Sequence, residues 1–192
     1  MTDLRLGDGC VVDDTVDVPS SGDGEAPRIG DDATVRSGTI IYPDVVVGDG
    51  LQTGHHVVVR EQTVVGDDVV LGTKTVLDGR CEIGDGASLQ TGVYVPPYSD
   101  VGDRVFLGPN AVLTNDPYPL RQDCDLVGPT LGEDVSVGAN ATILPDVTVG
   151  DRSFVAAGSV VTEDVPPETL AIGVPAEHRP LPPALDATNL QE

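Results

Sequence analysis

The chain has 192 residues, 39% of them hydrophobic, with 10 basic against 32 acidic side chains and a formal net charge of −22. That length suits one ordinary domain and the apolar content rules out disorder by composition. The charge excludes non-specific nucleic-acid binding and attraction to an anionic membrane, both of which need a basic face.

There are 23 Gly, 16 Pro and no Trp, and 31 Val dominate the apolar set. Gly, Pro and Val are poor to mediocre helix formers, so the composition predicts many short strands joined by turns. The acid is spread along the whole chain, mostly as Asp in Gly-Asp units, and Lys74 is the single Lys. Such acidity resembles that of proteins from salt-accumulating cytoplasm, as in haloarchaea, where salt screens the self-repulsion. It implies a halophilic protein. Cys10, Cys81 and Cys124 are odd in number and far apart, which fits neither a disulfide framework nor a zinc knuckle. The start, Met1-Thr-Asp-Leu-Arg-Leu6, has no signal-peptide character, and no apolar run approaches the ~20 residues of a membrane span. The expectation is a reduced, soluble, cytoplasmic protein.

At the N-terminus Leu6, Val12 and Val18 stand six apart, as in a starting coil, before the run Pro19 to Pro27 breaks the spacing. Residues 1–28 therefore read as an irregular cap and loop. From Ile29 a six-residue step is kept as far as Leu113 and resumes from Leu131 to Val161; twenty of its twenty-one slots are Ile, Val or Leu, and Thr53 is the exception. Gly follows the slot residue in eleven cases, and a small or β-branched residue stands four places on, as at Ala33, Cys81 and Ala141. A six-residue unit holds a short strand and a turn but cannot bury its own apolar face, so the units must stack into a solenoid. Val101 and Leu107 fall inward, whereas Arg104 falls in an outward slot and is expected to tolerate replacement.

This repeat resembles that of the hexapeptide-repeat acyltransferases. The resemblance implies an all-β, left-handed parallel β-helix of triangular section with three hexapeptides per coil. Residues 29–166 would form about seven coils, with one long loop over 114–130 and a Pro-rich extension over 167–192. It further implies a homotrimer and acetyl-CoA as co-substrate, bound in the groove between neighbouring subunits.

His55 and His56 are the only histidines within the repeat, both in outward slots. They read either as contacts or a general base in a subunit groove, or as solvated surface. A zinc site like that of the γ-class carbonic anhydrases needs three His on neighbouring coils. The only further His is His178 in the tail, so no metal is expected.

The step from Leu113 to Leu131 spans eighteen residues where six would serve, and its prolines favour a loop thrown out of the helix. The flanking run Phe106-Leu-Gly-Pro-Asn-Ala-Val-Leu-Thr-Asn-Asp-Pro-Tyr-Pro-Leu-Arg121 is similar to the Gly-Pro-Asn-x-x-x-Thr-Asn segment of sugar N-acetyltransferases acting on nucleotide-linked 3-amino sugars. In the maltose and xenobiotic O-acetyltransferases this loop carries a catalytic His followed by Pro. Here Tyr118 precedes Pro119 and the loop holds no His. A hydroxyl acceptor needs a strong base, whereas a neutral amine needs mainly position and a proton outlet. Asn115 would orient the amine or the carbonyl oxygen and Asp116 would take the proton. Tyr118 and Arg121 would contact the substrate.

For the co-substrate, the resemblance points to Val137-Gly-Ala-Asn-Ala-Thr-Ile-Leu-Pro145, to Phe154 through Thr162, and to Ala171-Ile-Gly-Val-Pro-Ala176. Backbone groups near Ala139, Asn140, Ala157 and Gly158 would hold the pantetheine arm, and the turn at Gly173 and Pro175 would lie near the adenine. The expected function is acetyl transfer to an amino sugar. The alternatives are O-acetyl or serine-type transfer with a His base, or a purely structural β-helix.

Overall fold

The computed structural model describes residues 4–19 and 24–189. Among them there is no helix, and so none long and apolar enough to cross a membrane. The chain is an all-β solenoid of about eight turns with three parallel sheets of eight, ten and seven strands.

One turn shows the rule. Strands Val64–Val65, Val70–Leu71 and Val76–Leu77 lie on the first, second and third sheets. The next turn, Glu82–Ile83, Ser88–Leu89 and Tyr94–Val95, pairs with them in parallel, eighteen residues on: Val64 with Glu82, Val70 with Ser88, Val76 with Tyr94. Each strand is only two residues long. Its first residue faces outward and its second faces the axis, as alternation across a strand requires. All twenty-one slots of the six-residue step are at most 5% exposed, and the column four places on is buried as well, except at Pro117 in the loop. Each buried Leu or Val removes enough apolar surface from water to contribute roughly 1.5–3 kcal/mol, and the stacked columns form one continuous core.

The step is six because each corner takes a sharp turn. Three residues after each slot residue except Leu113 and Val161 the backbone enters the left-handed region, as at Asp32 (φ 56°), Asp68 (φ 54°), Asn110 (φ 57°) and Gly158 (φ 71°). Asp, Asn and Gly tolerate that conformation best, which suits Asp32, Asp44, Asp68, Asp134 and Asp146, and Asn110 and Asn140.

The helix continues at both ends. Arg5–Leu6 and Val11–Val12 pair with Arg28–Ile29 and Thr34–Val35, and Asp17 bridges to Ile40. This N-terminal turn brings the total to about eight. Part of the expected loop between Pro19 and Pro27 falls on residues 20–23, outside the described residues. At the other end Thr169–Gly173 extends the second sheet and folds back as an antiparallel hairpin with Ala176–Pro180.

Residues 114–130 form a loop rather than a degenerate coil. Thr130–Leu131 pairs directly with Asp100–Val101, so the helix resumes with nothing inserted into the stack.

Candidate functional site

The expected site residues occupy two different corners of the prism. The corner between the second and third sheets carries Ala139 and Asn140 on one turn and Ala157 and Gly158 on the next. The Gly158 N–H donates to the Ala139 carbonyl at 2.9 Å, and the Gly173 N–H donates to Ser159 Oγ at 3.1 Å. Ala139, Ala157, Gly158 and Gly173 thus stack in one line, with Pro175 in the hairpin turn at its end. Ala157, Gly158, Asn140 and Pro175 are exposed. A Cβ on Gly158 would meet nothing within 4 Å, so its backbone is open to an approaching ligand. Asn140 also serves as a left-handed turn residue (φ 56°).

His55 and His56 lie on this same corner, four turns away from Ala139. At a strand spacing near 4.8 Å that is about 19 Å along the axis. His55 Nδ1 stands 2.8 Å from Ser37 Oγ on the turn below. His56 is the left-handed residue of its turn (φ 58°), and its ring lies over Gly38, where a Cβ would stand 2.2 Å from Nδ1.

The loop leaves from the other corner, between the third and first sheets. Asn115 Nδ2 donates to the Pro97 carbonyl at 3.0 Å, and the Asn115 carbonyl accepts from Val127 N–H at 3.1 Å. Asn115 therefore clamps both ends of the loop. Asp116 Oδ1 accepts from Tyr118 N–H at 2.8 Å and from the Cys124 thiol at 3.8 Å, an Asx turn that leaves Oδ2 for other work. Tyr118 is half exposed, and Arg121 is exposed and, among the described residues, has no carboxylate within ion-pair distance. Within one chain the loop and the small-residue line do not meet, because the whole third sheet separates them.

That third sheet turns a mostly apolar row outward: Ile40, Val58, Val76, Val112 and Val160, with Tyr94 and Thr142 among them, all half-buried. A groove of about 880 Å³ lies elsewhere, along the second sheet between Gln52 and Phe106, and holds none of the expected residues. It is an open furrow walled at one end by Asn189, so its size reflects the tail rather than a formed active site.

Residues 128–163 match the family of bacterial transferase hexapeptides (six repeats), and residues 62–97 match the hexapeptide repeat of succinyl-transferase. A hexapeptide-repeat-containing acetyltransferase of Vibrio cholerae, solved in complex with acetyl coenzyme A, is 33% identical over 58% of this chain and 70% of that one, with a TM-score of 0.46. The chain belongs to the hexapeptide-repeat acyltransferases. A perosamine N-acetyltransferase from Caulobacter crescentus is 25% identical over 73% of this hexapeptide-repeat chain and 56% of its own, with a TM-score of 0.40. A UDP-N-acetylglucosamine acyltransferase from Bacteroides fragilis is 16% identical over 92% of this chain and 69% of that one; its TM-score of 0.75 shows the same fold. No curated protein matches.

Three polar groupings escaped the sequence reading. Arg60 pairs with Glu61 at 3.0 Å and Asp78 at 3.2 Å and lies over the Tyr42 ring, while the Tyr94 hydroxyl donates to Asp78 at 2.7 Å. Burial first, and the Asp78 bond second, push the Tyr94 phenol up to about 12. Arg104, expected to tolerate replacement, is instead engaged with carboxylates. It forks onto Asp134 Oδ1 and Oδ2 at 3.1 and 2.9 Å and onto Glu133, and the Asp134 side chain is only 5% exposed. Asn189 in the tail accepts from Ser136 and donates to Asp134 and to the carbonyls of Arg104 and Val135. These pairings join residues about 18, 30 and 55–85 apart, so only the outward slots of successive turns, once stacked, reveal them.

Proposed function

We propose that the protein is an acetyl-CoA-dependent N-acetyltransferase that acts on an amino sugar, nucleotide-linked, and works as a homotrimer. The observation that carries this reading is the loop. It presents Asn115, Asp116, Tyr118 and Arg121 beside the helix and contains no His, so it offers no imidazole base to a hydroxyl and suits an acceptor that is a nucleophile without one. An amine is such an acceptor once it loses its proton.

The acyl donor is acetyl-CoA, which the Vibrio cholerae relative was solved with. The line of Ala139, Ala157, Gly158 and Gly173 supports this, since small side chains let the pantetheine arm approach the backbone. The neutral amine attacks the thioester carbonyl, the tetrahedral intermediate collapses with loss of the CoA thiolate, and the amine proton passes to Asp116 or to water. A three-fold assembly would bring the loop of one copy to the small-residue corner of the next. The mostly apolar row on the third sheet supports such packing.

A second reading rests on the Ser37–His55 contact. A hydrogen-bonded imidazole can serve as general base for a hydroxyl acceptor, in an O-acetyl or serine-type transfer. Its distance from the small-residue line disfavours it.

The test is CoA release from acetyl-CoA with UDP- and dTDP-linked 3-amino sugars, beside the matching hydroxyl sugars and serine. Turnover is expected with amino sugars only, rising with pH as the ammonium deprotonates. Turnover confined to hydroxyl acceptors would sink the proposal.

A further inference from the structure

Acidic groups outnumber Lys and Arg by more than three to one, so any cation left without a carboxylate is conspicuous. Arg28, Arg60, Arg104, Arg152 and Arg179 form the ion pairs among the described residues. Arg5, Arg36, Lys74, Arg80 and Arg121 do not; Arg80 is bonded to Gln62 and Tyr98 instead, and Arg121 lies on the loop. Arg36 and Lys74 both lie on the corner between the second and third sheets, with His55 and His56 on the turn between them. Lys74 N–H donates to the His55 carbonyl at 2.9 Å and His56 N–H to the Ser37 carbonyl at 3.0 Å, so the three turns are tied in this order.

Arg36 is also held in place. Thr53, the one slot of twenty-one that breaks the aliphatic column, is 1% exposed; its Oγ1 accepts the Arg36 backbone N–H at 2.8 Å and its carbonyl accepts from the Arg36 guanidinium. The core gives up an aliphatic here and fixes a cation at the surface. The absent Cβ of Gly38 leaves room for the His56 ring. The hydroxyls of Ser37 and Thr73 face the same turns, Ser37 toward the His55 ring and Thr73 accepting from His55 N–H at 3.3 Å. Asp13 is near enough for its charge to be felt with that of His55. It is occupied by Thr15, which donates to it through both its hydroxyl and its N–H.

Arg36 and Lys74 stand two turns apart, about 10 Å along the axis. Their side chains are long enough to close on one ligand group between them. Paired cations with further N–H and O–H donors suit phosphate oxygens. We propose that this corner is a phosphate-binding site that holds the diphosphate of the acceptor, with Arg36 and Lys74 as the charges and His55 and His56 as donors between them. The proposal rests on the nucleotide-linked acceptor argued above. It places the acceptor and the acyl donor on one corner, approaching each other from its two ends.

The experiment titrates the protein separately with UDP, inorganic pyrophosphate and CoA, beside the Arg36→Gln/Lys74→Gln double variant and Thr53→Val. Both Arg36 and Lys74 are exposed, and Val restores the aliphatic column, so the fold should survive; melting curves check it. UDP and pyrophosphate should bind wild type and weaken about tenfold or more in the double variant, the scale of losing charged hydrogen bonds. CoA affinity should not change. Thr53→Val should weaken UDP to a smaller extent without touching CoA. Equal UDP affinity in wild type and double variant overturns the site, as does absence of UDP and pyrophosphate binding by wild type. Loss of CoA affinity, alone or with UDP, overturns the assignment to the acceptor. A protein that binds UDP through this corner but acetylates no amino sugar keeps the site and sinks the N-acetyl reading instead.

Discussion

Asp67 Oδ1 accepts the backbone N–H of Asp49, one turn below, at 2.8 Å, in space that a Cβ on Gly48 would enter to within 2.0 Å. The same bond recurs from Asp31 to Asp49 and from Asp67 to Asp85 to Asp103, so the corner between the first and second sheets is a ladder of carboxylates. This is the physical content of the Gly-Asp units: the Gly makes room for the next turn's Asp, and that Asp satisfies a turn amide. The carboxylates then stack about 5 Å apart, close enough for unscreened repulsion.

Salt should therefore stabilise the fold. Melting temperature followed by circular dichroism should climb as KCl rises from dilute into the molar range. Asp67→Asn keeps an acceptor oxygen and removes a charge, so it should raise the midpoint in dilute buffer and flatten the salt dependence. Asp67→Ala also loses the hydrogen bond and should cost about 1 kcal/mol in high salt. A midpoint indifferent to salt would contradict both the ladder argument and the halophilic reading.

The Arg104–Asp134 pair makes a second test. Val101→Asp puts a charge into the core, where Val101 is 1% exposed, and should prevent folding or lower the melting point drastically. Arg104→Ser should also destabilise, by several degrees, because it strands a buried carboxylate that the tail is bonded to. The double change Arg104→Ser/Asp134→Ser should recover part of the loss. A neutral Arg104→Ser would show that the pair is solvated in solution.

In the loop, Asn115→Ala should lower turnover by a factor of roughly ten to a thousand. Because the Asn115 side chain also ties the loop to the Pro97 carbonyl, proteolysis between residues 116 and 126 should speed up, while the melting point of the helix holds and the backbone bond from Val127 remains. Asp116→Asn keeps the turn bond from Tyr118 N–H, so a loss of about a hundredfold would assign proton transfer to Asp116, and a small loss would assign it to water. Collapse of activity in His55→Ala, with Asn115→Ala near wild type, would favour the His-base reading.

Tyr94 predicts behaviour at high pH. Its folded pKa, about 12, lies above the ordinary value of 10.0, so the protonated phenol is favoured by folding. Its contribution to stability is complete below about pH 10 and is lost as pH rises through about 12. In an absorbance titration of tyrosinate formation, wild type should show a last step near 12 that Tyr94→Phe lacks. Ionisation of all tyrosines near 10 in the folded protein would refute the buried Asp78 bond.

The thiols should differ in reactivity. Burial pushes the Cys81 thiol up to about 11, and Cys81 is 1% exposed. Iodoacetamide at pH 8 should spare it until the protein unfolds and should modify exposed Cys124 first. That reaction should be slow for a surface thiol, since desolvation and then the Asp116 carboxylate raise the Cys124 pKa.

The six-residue spacing by itself determined the solenoid, its inward columns and the place of the loop. Each of these is local: an aliphatic, a turn residue and a small residue within six positions dictate which side chain faces the axis, and Pro117 and Pro119 mark where that dictation stops. Thr53 was visible as the single break in the column, but its reason, the pinning of Arg36, was not. Which outward residues meet depends on stacking. Val76 neighbours Tyr94 because one turn takes eighteen residues, and Arg104 meets Asp134 thirty residues on because the loop between them is thrown out of the stack. The sequence placed His55, Asn115 and Ala157 as candidates of one site. The tertiary structure put the first and last on one corner about five turns apart and the second on another, because three corners per turn sort residues by their place in an eighteen-residue turn, once the twelve residues that the loop adds between Leu113 and Leu131 are set aside, rather than by proximity along the chain.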